Sequence, residues 1–226
     1  MIGVIGGSGL ESYSSKEYVK EANCSPYCII NISGIDIVFM SRHGVFHGYM
    51  PHEIPYAENI KKLKELGCDT IISFSACGSL NENISPGTFV CPDGLVDWKR
   101  EVCTITGKHT EMGEIFDLSL RKRIINATDI IGCSSLVSIP GPRFSTRAES
   151  RMFKQLGFDI INMTTSPEAF LAKELGIKYV VINMVTDYDS WREGNSVTYE
   201  QVLKQMETNV ERFEPLLEKI LVELSK

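Results

Sequence analysis

Tyr179-Val180-Val181-Ile182-Asn183-Met184-Val185-Thr186-Asp187-Tyr188-Asp189 is a largely apolar run that ends in two closely spaced carboxylates. Apolar side chains on consecutive positions predict a strand covered on both faces. Asp187 and Asp189 then stand where a buried strand leaves the core, which is where open α/β sheets keep their ligands. Two carboxylates in that position suit either a metal site or an acid–base pair.

The segments around this strand repeat a strand-and-helix alternation. Pro167 to Leu175 reads as a helix, with Pro in the tolerated first turn and Gly176 just past the end. Upstream, a helix from Thr146 to Leu156 precedes a strand at Asp159 to Asn162, and a helix from Leu118 to about Asn126 precedes a strand at Leu136 to Ile139. Thr70 to Ser75 and Thr88 to Cys91 read as further strands, with Ser85-Pro86-Gly87 as a turn between them. Cys28 to Ile32 and Ile35 to Ser41 flank Ser33-Gly34 as a hairpin would. Tyr56, Ile60 and Leu63 recur at helical spacing before the stop signal of Gly67. Val202, Leu203, Met206, Val210, Phe213, Leu217, Ile220 and Leu224 trace one terminal amphipathic helix from Val197 onward. The expected fold is α/β, with a central mixed twisted sheet flanked by helices in a single domain, 1–226.

Composition narrows the function class. The chain has 226 residues, 43% of them hydrophobic, and a net charge of −6. That charge argues against a general binder of nucleic acid or anionic membrane, so any phosphate site must be built locally. Seven scattered cysteines, with no Cys-x-x-Cys and no paired His spacing suited to zinc, read as buried thiols. The N-terminus runs from Met1-Ile2-Gly3-Val4-Ile5 straight into Gly6-Gly7, unlike a signal peptide, and no apolar run approaches membrane-spanning length. A cytoplasmic protein with no metal is the expectation.

Four other strand ends carry small or hydrogen-bonding residues. Gly6-Gly7-Ser8-Gly9 fails the dinucleotide fingerprint, because the third glycine position is Ser12, and it has no Walker lysine. It reads as a plain turn or as a cradle for a small anion built from backbone N–H groups and the Ser8 hydroxyl. At Ser41-Arg42-His43-Gly44 a guanidinium fork that matches phosphate oxygens follows a hydrophobic strand; the plainer reading is a surface arginine. Phe74-Ser75-Ala76-Cys77-Gly78-Ser79 and Asn162-Met163-Thr164-Thr165 would let a ligand approach the backbone closely, or are simply tight turns.

Taken in order, Gly6-Gly7-Ser8-Gly9-Leu10, Ser41-Arg42-His43-Gly44, Ser75-Ala76-Cys77-Gly78-Ser79, Gly141-Pro142-Arg143-Phe144-Ser145, Asn162-Met163-Thr164-Thr165 with Pro167-Glu168, and Thr186-Asp187-Tyr188-Asp189-Ser190-Trp191 resemble the 5'-methylthioadenosine phosphorylases of the purine nucleoside phosphorylase superfamily. The resemblance implies a nucleoside phosphorylase fold and a pentosyltransferase in which phosphate attacks the ribose anomeric carbon. Phosphate is then a co-substrate and no cofactor is needed. The implied phosphate site is Gly7, Ser8, Arg42, His43, Ser75, Ala76 and Thr164. Asp187, Asp189 and Ser145 are implied at the base, with Asp187 the candidate proton donor to purine N7. How the two carboxylates divide N7 and the 6-amino group is left open. Phe144 would lie against the purine, Met163 under the ribose, and His47, Tyr199, Val202 and Leu203 around the 5' group. His109 resembles a histidine that a neighbouring subunit contributes, implying a homotrimer or a hexamer.

A carboxylate accepts from a 6-amino group and repels a 6-oxo group, so the Asp pair favours adenine nucleosides. Methylthioadenosine is the expected substrate. The alternatives are a sister enzyme preferring adenosine, inosine or methylthioinosine, and a catalytically weak nucleoside-binding protein of the same fold. The last is motivated by a shortened lid: the connection to His109 is shorter than in many members, and departures from the family pattern at Pro55, Pro140 and Val96-Asp97-Trp98-Lys99 also touch the lid and the 5' pocket.

Overall fold

The structure is a computed structural model, and it describes residues 1–13, 17–98, 103–194 and 197–226. Lys99, at the end of one departing motif, lies outside the described residues. Among the described residues, eight strands run in the chain order β1 (Ile2–Gly6), β2 (Tyr27–Ile32), β3 (Ile35–Ser41), β4 (Thr70–Ser79), β5 (Phe89–Asp97), β6 (Ile131–Ser138), β7 (Ile160–Asn162) and β8 (Lys178–Asp187). The helices are α1 (Tyr56–Glu65), α2 (Leu118–Ala127), α3 (Arg147–Gln155), α4 (Thr165–Glu174), α5 (Tyr199–Glu211) and α6 (Phe213–Leu224). The fold is the mixed α/β type expected.

The strands form one mixed sheet in the order β2-β3-β1-β4-β7-β6-β5-β8, with β4 also paired to β8. That extra pairing closes a circuit. β4 runs parallel to β8, β8 antiparallel to β5, β5 parallel to β6, β6 parallel to β7, and β7 returns antiparallel to the tail of β4. Closure satisfies strand edges that an open sheet leaves unpaired. It also explains why β4 runs to Ser79 rather than stopping at Ser75, since Gly78 and Ser79 pair with Ile161 and Ile160. β5 and β6 are likewise longer than expected because they pair with each other from Val90–Ile131 to Asp97–Ser138.

β8 is buried from Tyr179 through Asp187, as its consecutive apolar residues predict. Its two faces meet separate clusters: Val181 and Val185 pack with α1 and α4 residues, and Val180, Ile182 and Met184 with α5 and α6 residues. The hairpin is also as expected, with Ser33 and Gly34 both at positive φ between paired Ile32 and Ile35. The terminal helix differs from expectation. It is two helices that break at Arg212, because Pro215 in the first turn of α6 has no N–H to give Glu211 and its ring crowds that carbonyl.

Cys24, Cys28, Cys68, Cys77, Cys91 and Cys133 are buried free thiols, and Cys103 is half-buried. Among the described residues no helix is long and apolar enough to cross a membrane. No group of three or more His, Cys, Asp or Glu residues among them is arranged to hold a metal ion.

Candidate active site

Register gathers the strand ends at one place. Gly6 at the end of β1 pairs with Ser41 and Phe74, and Ser75 pairs with Asn183. Beyond this point β4 and β8 slip: Cys77 pairs with Val185 but Gly78 with Asp187, so Thr186 is the extra residue of a β-bulge. Bulges re-aim side chains, and this one sits directly before the two carboxylates. Gly78 makes room for them, since a Cβ there would lie 3.1 Å from Asp187 Oδ1 and 3.2 Å from Asp189 Cβ.

A cavity of roughly 240 Å³ opens at this end of the sheet. Of the residues expected to act, it is lined by Ser8, Arg42, His43, His47, Ser75, Ala76, Phe144, Ser145, Met163, Thr164, Asp187, Asp189, Tyr199 and Val202. Three stand elsewhere. Gly7 lies behind the wall, where a Cβ would come within 2.4 Å of Arg42 Nη1 and 2.8 Å of the Phe74 carbonyl. Leu203 lines a neighbouring cavity, and His109 is an exposed loop residue outside both.

At the carboxylate end, the Asp189 backbone N–H donates to Asp187 Oδ1 at 2.7 Å, and Ser145 Oγ lies 2.6 and 2.8 Å from the two Asp189 oxygens. The Thr186 hydroxyl is 2.7 Å from Asp187 Oδ2 and 3.1 Å from the Cys77 carbonyl. Burial pushes the Asp187 carboxyl up to about 6; hydrogen bonds from Thr186 and Asp189 oppose this, and the Asp189 charge adds to it. Burial also raises Asp189, against the hydrogen bond from Ser145. The two differ in partners: one hydroxyl, of Ser145, reaches both oxygens of Asp189, whereas Asp187 takes the Thr186 hydroxyl on one oxygen and the Asp189 N–H on the other, and burial still pushes it up to about 6.

The opposite end of the cavity is built from hydroxyls and a helix end. Thr164 is the N-cap of α4, yet its side chain does not cap the helix; its Oγ1 lies 3.3 Å from Ser75 Oγ. The positive end of the α4 dipole therefore points at a cluster of hydroxyl donors, an arrangement suited to an anion. Asn162 Nδ2 ties this wall together, 3.4 Å from Ser75 Oγ, 2.7 Å from Thr165 Oγ1 and 3.0 Å from Asn183 Oδ1.

Arg42 is not a surface arginine. It is fully buried, and its fork is closed by Glu168, with Nε to Oε1 at 2.5 Å and Nη2 to Oε2 at 3.0 Å. Nη2 also donates to Ser73 Oγ at 2.5 Å and Nη1 to the Phe74 carbonyl at 2.9 Å. Ser73 and Tyr179 hydroxyls complete the Glu168 shell at 2.9 and 2.8 Å. By donor count one Nη1 hydrogen is left for the cavity. His43 donates Nδ1–H to the Tyr49 carbonyl at 2.9 Å, and burial, with Arg42 and His47 nearby, lowers it to about 4. It is thus neutral at neutral pH and leaves Nε2 as an acceptor.

Beside it, the His47 ring stacks on His43 at 4.2 Å between centroids, and His47 Nδ1 is 2.7 Å from Glu11 Oε1. Sequence reading missed Glu11, Glu168 and Asn162 as working parts. Glu168 and Asn162 lay within quoted motifs but had no evident partners; Glu11 had only its place two residues after Gly9.

A family model described as the phosphorylase superfamily matches residues 2–222. The chain belongs to the phosphorylase superfamily. Among curated members it is 42% identical over 236 residues to the S-methyl-5'-thioadenosine phosphorylase of Pyrococcus abyssi, covering 97% of this chain and 91% of that one. It is 40% identical to the enzyme of the same name from Ciona intestinalis, covering 92% and 83% of the two chains. Among solved members, the methylthioadenosine phosphorylase of Schistosoma mansoni in complex with adenine superposes with a TM-score of 0.90 at 31% identity, over 99% of this chain and 91% of that one. A mutant adenosine/methylthioadenosine phosphorylase from the same organism, in complex with methylthioadenosine, gives 0.88 at 31% identity and the same coverage.

Proposed function

We propose that this chain, as a single nucleoside phosphorylase domain, cleaves 5'-methylthioadenosine with phosphate to adenine and 5-methylthioribose 1-phosphate. The observation that carries the reading is one cavity with a carboxyl pair at one end and a hydroxyl-lined helix N-terminus at the other. Its relatives are named for this reaction.

Phosphate sits against Ser8, Ser75, the Ala76 backbone and Thr164, with Arg42 supplying at most one N–H. Glu168 holds Arg42 rigid, so the guanidinium acts as a fixed positive wall more than as a fork. A phosphate oxygen forms a bond to the anomeric carbon as the carbon–N9 bond breaks, and the bond's electron pair leaves with the purine. The sugar carries positive charge in between, and the adjacent phosphate stabilises it. Asp187 gives its proton to N7, while Asp189, positioned by Ser145, accepts from the 6-amino group. Phe144 flanks the purine and Met163 the ribose. His47, Tyr199 and Val202 close the 5' end. No cofactor takes part.

His109, exposed on its own chain, completes a neighbour's site in a homotrimer, on its own or as half of a hexamer. Solution mass together with a His109→Ala assay tests this; a fully active monomer would refute it. Six buried free thiols suit a cytoplasmic enzyme.

The decisive experiment is adenine release from methylthioadenosine with and without phosphate. Release that needs phosphate is expected, and tight nucleoside binding without turnover would overturn the reading. A second substrate, adenosine, is favoured by Tyr199 and by the His47–Glu11 pair, which put polar groups where a thioether has none to meet.

A further inference from the structure

A second cavity of roughly 230 Å³ lies beside the first. Two residues, His47 and Tyr199, line both, and their rings are 5.7 Å apart, so the partition is a pair of side chains in contact. Tyr199 is 42% exposed in the first turn of α5, where it can swing toward solvent without disturbing the core. Beyond the partition, Val45, Phe46 and Leu203 give apolar walls, and Glu11 and Ser12 give polar ones.

Two features show that this second space is built. Phe46 is 94% exposed and His47 follows it, and both hold the left-handed conformation, at φ 56 each. A residue with a side chain adopts that conformation only against steric resistance, so the surrounding structure must hold it there. The turn keeps His47 against Glu11 and leaves the Phe46 ring on the outer wall. The second feature is Glu11 itself, the only acidic residue among the described residues that line the cavity. Burial works against its charge and is the largest single influence, but the His47 hydrogen bond, a backbone hydrogen bond and the nearby His47 and His43 rings together outweigh it and hold the carboxyl below its ordinary range.

We infer that the second cavity is an accessory subsite for the far end of a 5'-substituent longer than methylthio, one with an apolar stem and an ammonium or other hydrogen-bond donor at its tip. The stem passes between His47 and Tyr199 along Val45, Phe46 and Leu203, and the tip meets Glu11 and Ser12. The inference rests on the nucleoside reading of the first cavity.

The test is direct binding without phosphate, so that no turnover is involved. The probes are 5'-deoxy-5'-(3-aminopropylthio)adenosine, its isosteric 5'-butylthio counterpart, and methylthioadenosine as reference. The unmodified protein should bind the amine about tenfold more tightly than the butyl compound, the factor expected from one charge-assisted hydrogen bond. Glu11→Gln should bring that ratio close to one. Ser12→Trp fills the cavity from its exposed side and should weaken both long probes at least about fivefold relative to methylthioadenosine, as lost contacts of this size require. Equal affinity for the amine and butyl probes, a preference that survives Glu11→Gln, or long probes indifferent to Ser12→Trp would each overturn the proposal. If methylthioadenosine is not phosphorolysed at all, the function reading fails separately, and the Kd ratios still decide the subsite.

Discussion

Arg42 and Glu168 form a bidentate ion pair with almost no exposure, and both side chains meet further buried partners in Ser73, Phe74 and Tyr179. Removing one member of such a pair leaves the other buried and uncompensated, at a cost of about 3–5 kcal/mol. Glu168→Ala should lower stability by that amount in denaturant titrations. Glu168→Gln keeps the shape and an acceptor for Ser73 or Tyr179, so it should cost less, but it still strands the guanidinium charge. A loss below about 1 kcal/mol for Glu168→Ala would mean that the pair contributes little beyond an exposed one.

His43 and Asp187 bias stability in opposite directions over one pH range. His43 titrates near 4 in the fold against about 6.5 unfolded, so acid favours the unfolded chain as pH falls from 6.5 to 4. Asp187 titrates near 6 in the fold against about 3.9 unfolded, so the fold takes up the proton first and gains stability as pH falls from 6 to 3.9. Each term is on the order of 3 kcal/mol, and they largely offset. Relative to the unmodified protein, His43→Gln should gain stability steadily on acidification over this window, and Asp187→Asn should lose it. Chemical denaturation at pH 4.5 and 7 checks both slopes; parallel curves for all three proteins would contradict the assignment.

The same Asp187 carboxyl sets a kinetic expectation. With a carboxyl near 6, only about a tenth of the free enzyme carries the proton at pH 7. As the donor to the leaving base must be protonated, kcat/KM should bend downward near pH 6 and approach a tenfold fall per pH unit above it. Asp187→Asn should remove this limb and lower kcat/KM for methylthioadenosine by about 10²–10⁴, the usual worth of acid catalysis, while Asp189→Asn, which puts an amide donor opposite the 6-amino group, should shift relative preference toward inosine-type nucleosides. An unchanged pH profile would remove Asp187 as the donor to N7, and an unchanged preference for adenine would remove Asp189 from the 6-amino group.

Much of this was legible in residue order, and the exceptions have a common cause. Consecutive apolar residues marked β8, Ser33-Gly34 marked the hairpin, and small residues at successive strand ends marked the cavity, because each is a local pattern with a local physical reason. The closure of β4 onto β7, the slip that makes Thr186 a bulge, and the Arg42–Glu168 pair all join distant segments. Nothing in residue order singles out Glu11, whose partner His47 lies 36 positions away. The break at Arg212 was the one local miss: the apolar spacing runs through it, and the signal against a single helix was Pro215.

The bulge supplies a last prediction. Gly78 faces Asp187 Oδ1, Asp189 and Ile161 Cγ2, all within 3.1–3.2 Å of where a Cβ would stand. Its φ is not in the left-handed region, so alanine is compatible with the backbone and the penalty is purely one of space. Ile161 belongs to a packed core and gives little, so the carboxylates must move by a few tenths of an ångström. A shift of that size uses up most of the roughly 0.5 Å that productive geometry allows, so it costs rate as well as stability. Gly78→Ala should therefore cut kcat by about ten- to a hundredfold while changing stability by about 1–3 kcal/mol, the range for overpacking. Activity within a factor of about two of the unmodified enzyme would show that the carboxyl pair has slack and that the bulge does not position it.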